Sequence, residues 1–417
     1  MPNTPIGIDA LAFAGPAHYL DMSDLAIARG VDPGKYLHGL GQRQMAIATP
    51  CEDTVTMAAE AGAEALTAFD IDPDQIGTLI VGTETGVDHS KPVAVYVHEL
   101  LGLSRNCRTF ETKHACYGAM AGLTSSTDWI AAGRARGRKA LVIASDIARY
   151  GLQTPGEPTQ GAGAVAMVVS DRPRLAEIDR HRIGDYTRQV MDFWRPLYSK
   201  YAFADGHYSI QCYLDALEGA WHDAGGEPAR ADRPASLGST TLAACLYHVP
   251  FVKMARKAHH KLLEIEQADA DPIDEAERHA RFEASYQAKV APWLELNATV
   301  GNIYTGSLFL ALIDLLSRAE AALAGREISL FSYGSGCGAT FCLARIAEAA
   351  ADHAARLDPR PRLAQRQRLD IDGYERLMRA CEDGDRAESL DPASYGLHGR
   401  GLYFVGTRDH VRHYIRA

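Results

Sequence analysis

The 417 residues carry 43 basic against 53 acidic side chains, a formal charge of −10 with a sequence pI near 5.9. That balance speaks against a nucleic-acid binder, which usually shows a basic domain or stripe. With 47% apolar and 23% charged residues the chain has ordinary globular usage, and its length suits two or three structural units around a large core.

In chain order, the N-terminus MPNTPIGIDALAFAG has no basic leader followed by an apolar run and a cleavage site, so no secretory signal is expected. Helical spacing follows over 52–69 (EDTVTMAAEAGAEALTAF), then a strand-like run TLIVGT at 78–83. A second helix pattern covers 117–135, with strands expected at 139–145 (KALVIAS) and 164–170 (AVAMVVS). The region 256–295 is polar and helical in spacing, and is expected to be a solvated helical insertion. GSLFLALIDLL at 306–316 is the most apolar helical stretch; Asp314 interrupts it, and it is too short for a bilayer, which takes about 20 apolar residues. Two more strands, ISLFSYG at 328–334 and TFCLARI at 340–346, precede an Ala-, Arg- and Asp-rich stretch at 344–388 that reads as surface helix and loop. Strands alternating with helices predict an α/β body with buried sheets.

TQGAGAVAMVVS at 159–170 and YGSGCGATFCLARI at 333–346 both run from a glycine-rich turn into an apolar strand. The echo suggests two similar halves, an N-terminal one over 1–170 and a C-terminal one over 171–417 carrying the insertion; coincident glycine turns are the plainer explanation. The eight cysteines, at 51, 107, 116, 212, 245, 337, 342 and 381, form no CxxC pair. A reducing compartment, hence the cytoplasm, is expected.

Cys116, in KHACYGAMAG, sits at the start of a helix pattern, where exposed backbone N–H groups and the dipole favour thiolate, as a covalent acyl carrier requires. A small buried hydrophobe is the commoner fate of a cysteine. Glu84 lies directly beyond a strand, in LIVGTETGVD, where a partly apolar pocket can raise a carboxyl into the range of a base on a weakly acidic carbon; the alternative is a turn glutamate. His248, in CLYHVPF, either offers a ring N–H to a substrate carbonyl or is a satisfied core histidine. Asn302, in VGNIYTGSLFLAL, either caps a helix or points into a site as a neutral donor. GSGCG at 334–338 permits close backbone approach to a ligand, yet lacks the GK[ST] of a phosphate loop, and QGAGA precedes a strand, so it is not a dinucleotide fingerprint. His259 with His260, and His410 with His413, lack the spacing of a zinc site, so no metal is expected.

Taken together, TETGVD (83–88), YVHELLGL (96–103), HACYGA (114–119), IASDIARY (143–150), PTQGAGAVAM (158–167), VMDFWRP (190–196), YHVPFVKMARKAH (247–259), VGNIYTGSLFLAL (300–312) and FSYGSGC (331–337) resemble the hydroxymethylglutaryl-CoA synthase family of the thiolase superfamily, in order over nearly the whole chain. The resemblance implies a thiolase-like α/β fold of duplicated αβαβα halves and a homodimer. It implies the acylated nucleophile at Cys116, the acid/base at Glu84 and a ketone-binding histidine at His248, with Asn302 near the acceptor thioester. Tyr117, Asp146, Asp192, Tyr333 and Ser335 match supporting positions. It implies no permanently bound cofactor and, as substrates, phosphopantetheine thioesters on acyl carrier protein or coenzyme A; neither nucleic acid nor membrane is expected as a partner.

The implied reaction is a non-decarboxylating condensation of an acetyl thioester with a β-ketoacyl thioester. A decarboxylating relative needs no base such as Glu84. YLDMSDLAIARGVD (19–32), PCEDTVTM (50–57), LSRNCR (103–108), YGSGC and the tail at 399–414 resemble the polyketide β-branching enzymes that act on carrier protein. DFWRP and the lysines of PFVKMARKAH resemble the mevalonate enzymes that act on coenzyme A. The carrier-protein reading is favoured here, and the coenzyme A enzyme is the alternative. Docking an acidic carrier would fall to Arg29, Lys35, Arg43, Lys253, Arg256 and Lys257, whose plainer role is solvated surface charge. His114 and His207 depart from the residues usual in relatives, with consequences for substrate shape or the Cys116 pKa. A thiolase-fold acyltransferase forming no carbon–carbon bond, and a non-catalytic scaffold, are the competing functions.

Overall fold

The computed structural model describes residues 4–199, 201–230, 235–268, 274–399 and 401–417. Residues 269–273, inside the expected insertion, lie outside the described residues. Nine strands build the main sheet: β1 Gly7–Ala14, β2 Ile76–Gly82, β3 Arg108–Thr112, β4 Lys139–Ala148, β5 Gly161–Ser170, β6 Ala176–Thr187, β7 Ala244–Tyr247, β8 Glu327–Gly334 and β9 Gly338–Ile346. Their order across the sheet is β7-β8-β9-β6-β1-β5-β4-β2-β3. Every residue of β1, β2 and β5 is buried, which is why β2 and β5 read as continuous apolar runs with no alternation.

The pairing repeats. In the first half β5 is antiparallel to both β1 and β4, and β4 is parallel to β2, which is parallel to the edge strand β3. In the second, β9 is antiparallel to both β6 and β8, and β8 is parallel to β7. Strands β1, β5, β4 and β2 thus correspond to β6, β9, β8 and β7. The two sets join where Gly7 and Ile8 pair with Glu177 and Ala176. Of the glycine-rich segments singled out in the sequence, Gly161 and Gly163 open β5 itself, and 334–338 joins β8 to β9; β5 and β9 hold equivalent places.

Parallel strands require crossovers, and helices supply them. Those that matter for the site are α1 Thr54–Ala68, α2 Gly118–Ala131, α3 Gly206–Asp223, α4 Val252–Glu266, α5 Glu275–Lys289, α6 Ser307–Leu316 and α7 Ile371–Asp383. Helices α1 and α3 lead into the equivalent strands β2 and β7, and α2 and α6 into β4 and β8. Asp53 starts α1 with a reciprocal cap: its carboxylate accepts from the Thr56 N–H while the Thr56 hydroxyl accepts from the Asp53 N–H. Every residue of α6 is buried, and its one charge, Asp314, is matched by Arg318 at 2.6 Å, by Arg360 and by the Leu296 N–H at 3.1 Å.

Two surface expectations change. The insertion is solvated along α5, where only Phe282 and Tyr286 are buried, but α4 buries Met254, Ala255, Ala258, His259, Leu262 and Leu263. Apart from the buried Glu266, the charges of α4 occupy one face and its apolar residues the other, so a mean polarity hides a core-facing stripe. Likewise 344–388 begins inside β9 and contains α7, whose Tyr374, Met378 and Cys381 are buried at i, i+4, i+7 spacing. Among the described residues no helix is long and apolar enough to cross a membrane.

Candidate active site

The chemistry-bearing residues gather at the carboxyl ends of parallel strands, where α/β sheets place their ligands. Glu84 is the second residue beyond β2 and His248 the first beyond β7, while Cys116 and Asn302 lie in the turns that lead into α2 and α6. Because β2 corresponds to β7 and α2 to α6, these four residues lie in corresponding loops of the two halves, though not at matching offsets. Both turns force a non-glycine residue into the left-handed region, Ala115 at φ 41° and Tyr304 at φ 44°. Such backbone costs about 1–3 kcal/mol per residue and persists only where surrounding contacts over-determine it. One such contact ties the two turns together: the Ala119 N–H donates to the Thr305 hydroxyl at 2.8 Å, fully buried. Gly82 ends β2 against α2, and a Cβ there would stand 2.4 Å from the Ala119 nitrogen. This close approach of strand end and helix start brings Glu84 to Cys116.

Cys116 Sγ lies 3.8 Å from Glu84 Oε1, and both groups are buried. Asp146, near the end of β4, accepts four hydrogen bonds on its Oδ1, from the Thr83 and Thr85 hydroxyls (2.9 and 2.6 Å) and the Glu84 and Thr85 N–H groups (2.9 and 3.2 Å). It thereby fixes the loop that carries Glu84. Burial, followed by the negative charge of Asp146, pushes the Glu84 carboxyl up to about 8, against the opposing pull of Arg195 at 3.4 Å. Burial raises Asp146 too, less far, because its donors favour the carboxylate. The pair thereby retains a proton near neutrality, with the larger upward shift on Glu84. Arg195 also donates to the Glu84 main-chain carbonyl.

The expected thiolate is not the resting state. Burial, reinforced by Glu84 and Asp146, holds the Cys116 thiol well above its ordinary range. Helix α2 begins only at Gly118, and its dipole does not outweigh two carboxyl groups and a dry surrounding. Cys116 packs with Ala148 and Tyr304, flanked by Tyr150 and Phe193. Burial pushes both phenols up, so Tyr150 and Tyr304 are neutral.

The segment 192–195 stitches the halves together. Asp192 accepts from the Tyr333 hydroxyl at 2.7 Å, the Ser209 hydroxyl at 3.2 Å and the Gly336 N–H at 2.9 Å. Phe193 meets Tyr304 edge to face with ring centres 6.1 Å apart, and Arg195 reaches Glu84. Tyr333 packs against Tyr213, whose hydroxyl donates to the main-chain carbonyl of His248 at 2.9 Å. His248 is buried, its Nδ1 lacks a partner among the described residues, and burial pushes its pKa down to about 3. It is a neutral imidazole at physiological pH.

The remaining sequence candidates sort by contact. The Asn302 side-chain oxygen accepts from the Tyr304 N–H at 2.9 Å and the Ser307 hydroxyl at 3.2 Å, yet Asn302 is the cap residue neither of the short 304–306 turn, whose cap position is Ile303, nor of α6, whose cap position is Gly306. Its amide NH₂ makes no hydrogen bond among the described residues. The Tyr117 hydroxyl pairs with Thr340 of β9 at 2.8 Å, and Ser335 lies beside His114, whose ring is pulled down in pKa by burial. The glycines of 334–338 admit that histidine: a Cβ on Gly338 would stand 2.4 Å from the His114 ring. Close approach there is by the protein's own chain, which departs from the expectation of a ligand. His207 is exposed in the first turn of α3.

Of the six docking candidates, Arg29 departs most from a surface role. It is 11% exposed and spans Glu157 and Glu375, both at 2.8 Å, because two acidic side chains from distant segments converge on it. Arg256 pairs with Glu283 at 2.7 Å and Arg43 with Glu295 at 3.8 Å. Lys35 and Lys257 are exposed and Lys253 is half-buried; none makes an ion pair among the described residues. His259 is held between the Tyr247 hydroxyl at 2.9 Å and the Ser285 hydroxyl at 2.8 Å. Among the described residues no group of three His, Cys, Asp or Glu could hold a metal ion.

Reading the sequence one residue at a time passes over Arg195, Phe193, Tyr150 and Tyr304. The motifs DFWRP, IASDIARY and VGNIYTG contain all four, but nothing in their spacing says that they surround a thiol.

A family model described as hydroxymethylglutaryl-coenzyme A synthase N terminal matches residues 2–173, and its C-terminal counterpart matches 177–280 and 264–414. A hydroxymethylglutaryl-CoA synthase of Enterococcus faecalis is 38% identical over 386 residues, covering 93% of this chain and 94% of that one. Among solved structures, MvaS in complex with 3-hydroxy-3-methylglutaryl coenzyme A is 48% identical with a TM-score of 0.92, covering 99% of both chains. The curacin biosynthetic pathway HMG synthase in complex with apo donor-ACP is 32% identical with a TM-score of 0.88, covering 99% of this chain and all of that one (100%).

Proposed function

The chain belongs to the hydroxymethylglutaryl-CoA synthase family of acyl-condensing enzymes, and from that premise we propose that Cys116 carries the acetyl group, Glu84 moves the proton and His248 binds the acceptor ketone. The observation that carries this reading is a raised, buried carboxyl 3.8 Å from a buried thiol.

The Cys116 sulfur attacks the acetyl thioester; a new C–S bond forms, the old one breaks, and the thiol proton leaves with the departing thiol. Acetylation removes the cost of a charged sulfur among two carboxyl groups. Glu84, when ionised, takes a proton from the acetyl methyl. The resulting enolate forms a carbon–carbon bond to the β-ketone of the second thioester. His248, neutral by burial, donates a hydrogen bond to that ketone oxygen, and the alkoxide takes up the proton held by Glu84. Water then cleaves the Cys116 thioester, giving a carboxylate and the free thiol. Asp146 and Arg195 set the position and pKa of Glu84, Asp192 and Tyr333 support the His248 side, and Tyr117, Ser335 and Asn302 frame the acceptor.

For the substrate carrier we favour coenzyme A thioesters over the carrier protein expected from the sequence. The support is 48% identity to a structure holding a coenzyme A product against 32% to one holding a carrier protein, and the engagement of Arg29, Arg43 and Arg256 by acidic neighbours. The carrier reading keeps its motif support and the exposed Lys35 and Lys257. Comparing kcat/KM for acetoacetyl-CoA and for acetoacetyl-carrier protein decides: a carrier preference above about tenfold, worth about 1.4 kcal/mol, overturns our choice. We further propose a homodimer, a division of the chain into halves at 170/171, and a reducing, cytoplasmic setting, in keeping with eight unpaired cysteines.

Intact mass after incubation with acetyl-CoA tests the nucleophile. A wild-type adduct absent from Cys116→Ser is expected, and an equal adduct on both removes Cys116 from the mechanism. Product analysis with an acetoacetyl thioester separates condensation from simple acyl transfer.

A further inference from the structure

Gln160 is 2% exposed at the entry to β5 and serves two site elements at once. Its side-chain oxygen accepts the Tyr150 N–H at 2.8 Å, and its main-chain oxygen accepts the Asn302 N–H at 3.3 Å. The next residue, Gly161, bridges to Gly301. Tyr150 packs on the cluster around Cys116, so one buried residue touches both the chamber wall and the turn that presents Asn302.

Behind Gln160 runs a chain of directed hydrogen bonds. Its amide NH₂ donates to the Tyr374 hydroxyl at 2.8 Å, which spends its only proton on Glu157 at 3.1 Å. Glu157 is 2% exposed and is held by Arg29 through two parallel bonds of 2.8 and 2.9 Å; it also accepts the Gln153 N–H at 3.0 Å. Arg29 in turn reaches Glu375 at 2.8 Å. The polarity of this chain is fixed, because it ends on a carboxylate clamped bidentately by a guanidinium. A residue at 160 must therefore accept from Tyr150 and donate to Tyr374, which a glutamine does and an ionised glutamate does not.

We propose that Gln160, oriented by Tyr374, Glu157 and Arg29, is a positioning residue that holds Tyr150 and Asn302 in register with Cys116 during condensation. It touches neither thiol nor substrate; its effect passes through those two residues. The assignment rests on the condensing-enzyme reading, since Asn302 matters only where an acceptor thioester binds.

The test uses full-length Gln160→Met and Tyr374→Phe. Two rates are read: single-turnover condensation of acetylated enzyme with acetoacetyl-CoA, and iodoacetamide alkylation of Cys116 followed by mass. In Gln160→Met, condensation is expected to fall about tenfold or more, as small misplacements of reacting groups do, and alkylation to rise about threefold as the wall loosens. Tyr374→Phe removes one oxygen, keeps the ring, and should move both rates the same way by a smaller factor. A folded Tyr374→Phe with both rates within twofold of wild type overturns the proposal, as does a lowered melting temperature with unchanged alkylation. A wild-type enzyme that never acetylates would instead sink the condensing-enzyme reading, while the alkylation rates still decide whether the network holds the chamber.

Discussion

Replacing Glu84 by Gln should make the protein more stable and nearly inactive, and the size of each effect follows from the chamber. The carboxyl titrates near 8 in the fold against 4.5 in an unfolded chain. At pH 7 unfolding therefore releases a proton that the fold retains, which penalises the folded state by 7 − 4.5 = 2.5 pH units at about 1.4 kcal/mol each, or about 3 kcal/mol. Gln keeps the shape and carries no such penalty. Arg195 loses a partner only to the extent that Glu84 was ionised, so most of the gain should survive. The sign is set by the raised pKa: wild-type stability falls relative to the variant as pH rises from 4.5 to 8, then the gap levels off. Urea unfolding should show a difference of about 1 kcal/mol at pH 5.5 growing to about 4 kcal/mol at pH 8. Acetylation of Cys116 should persist, while single-turnover condensation falls by about 10²–10⁴, or about 3–5 kcal/mol of barrier. A stability gap independent of pH would refute the raised carboxyl. Condensation above about a tenth of the wild-type rate would remove Glu84 as the base.

The neighbours of Glu84 should move the rising limb of the condensation pH–rate profile in opposite directions. Asp146→Asn deletes a like charge and should shift that limb to lower pH, whereas Arg195→Gln deletes an attractive one and should shift it higher; equal shifts would contradict the assigned charges. Alkylation of Cys116 by iodoacetamide should still be climbing steeply at pH 9, because burial and two carboxyl groups suppress the thiolate; a plateau below pH 8 would contradict that surrounding. Lys253→Glu and Lys257→Glu should raise KM for a coenzyme A thioester several-fold with kcat held within about twofold, and an unchanged KM would leave these lysines as surface charge.

The strands β2, β4, β5, β8 and β9 and the helices α1 and α2 were legible because each is long, apolar or evenly spaced, and buried on the sides its pattern announces. Helices α4 and α7 look like surface in the sequence because their charged faces dominate the composition while their apolar residues recur only every third or fourth place. Glu84, Cys116 and Asn302 stand out in the sequence as residues placed at a strand end or helix start, His248 as a histidine among aromatic and apolar neighbours, and family likeness gives them roles.

Only the tertiary structure decided their electrostatic state. Sequence position put Cys116 at a helix start and so predicted a thiolate; folding placed Glu84 and Asp146 beside it and removed the water, which reverses the sign. Arg29 shows the same limit from the other side. Along the chain it is one of several basic residues near an end, but Glu157 and Glu375, 128 and 346 residues away, converge on it and turn a surface charge into an anchor. Periodicity and local propensity act over a few residues and can be read in one dimension. Burial and Coulomb interaction depend on distances in space, which the fold alone sets.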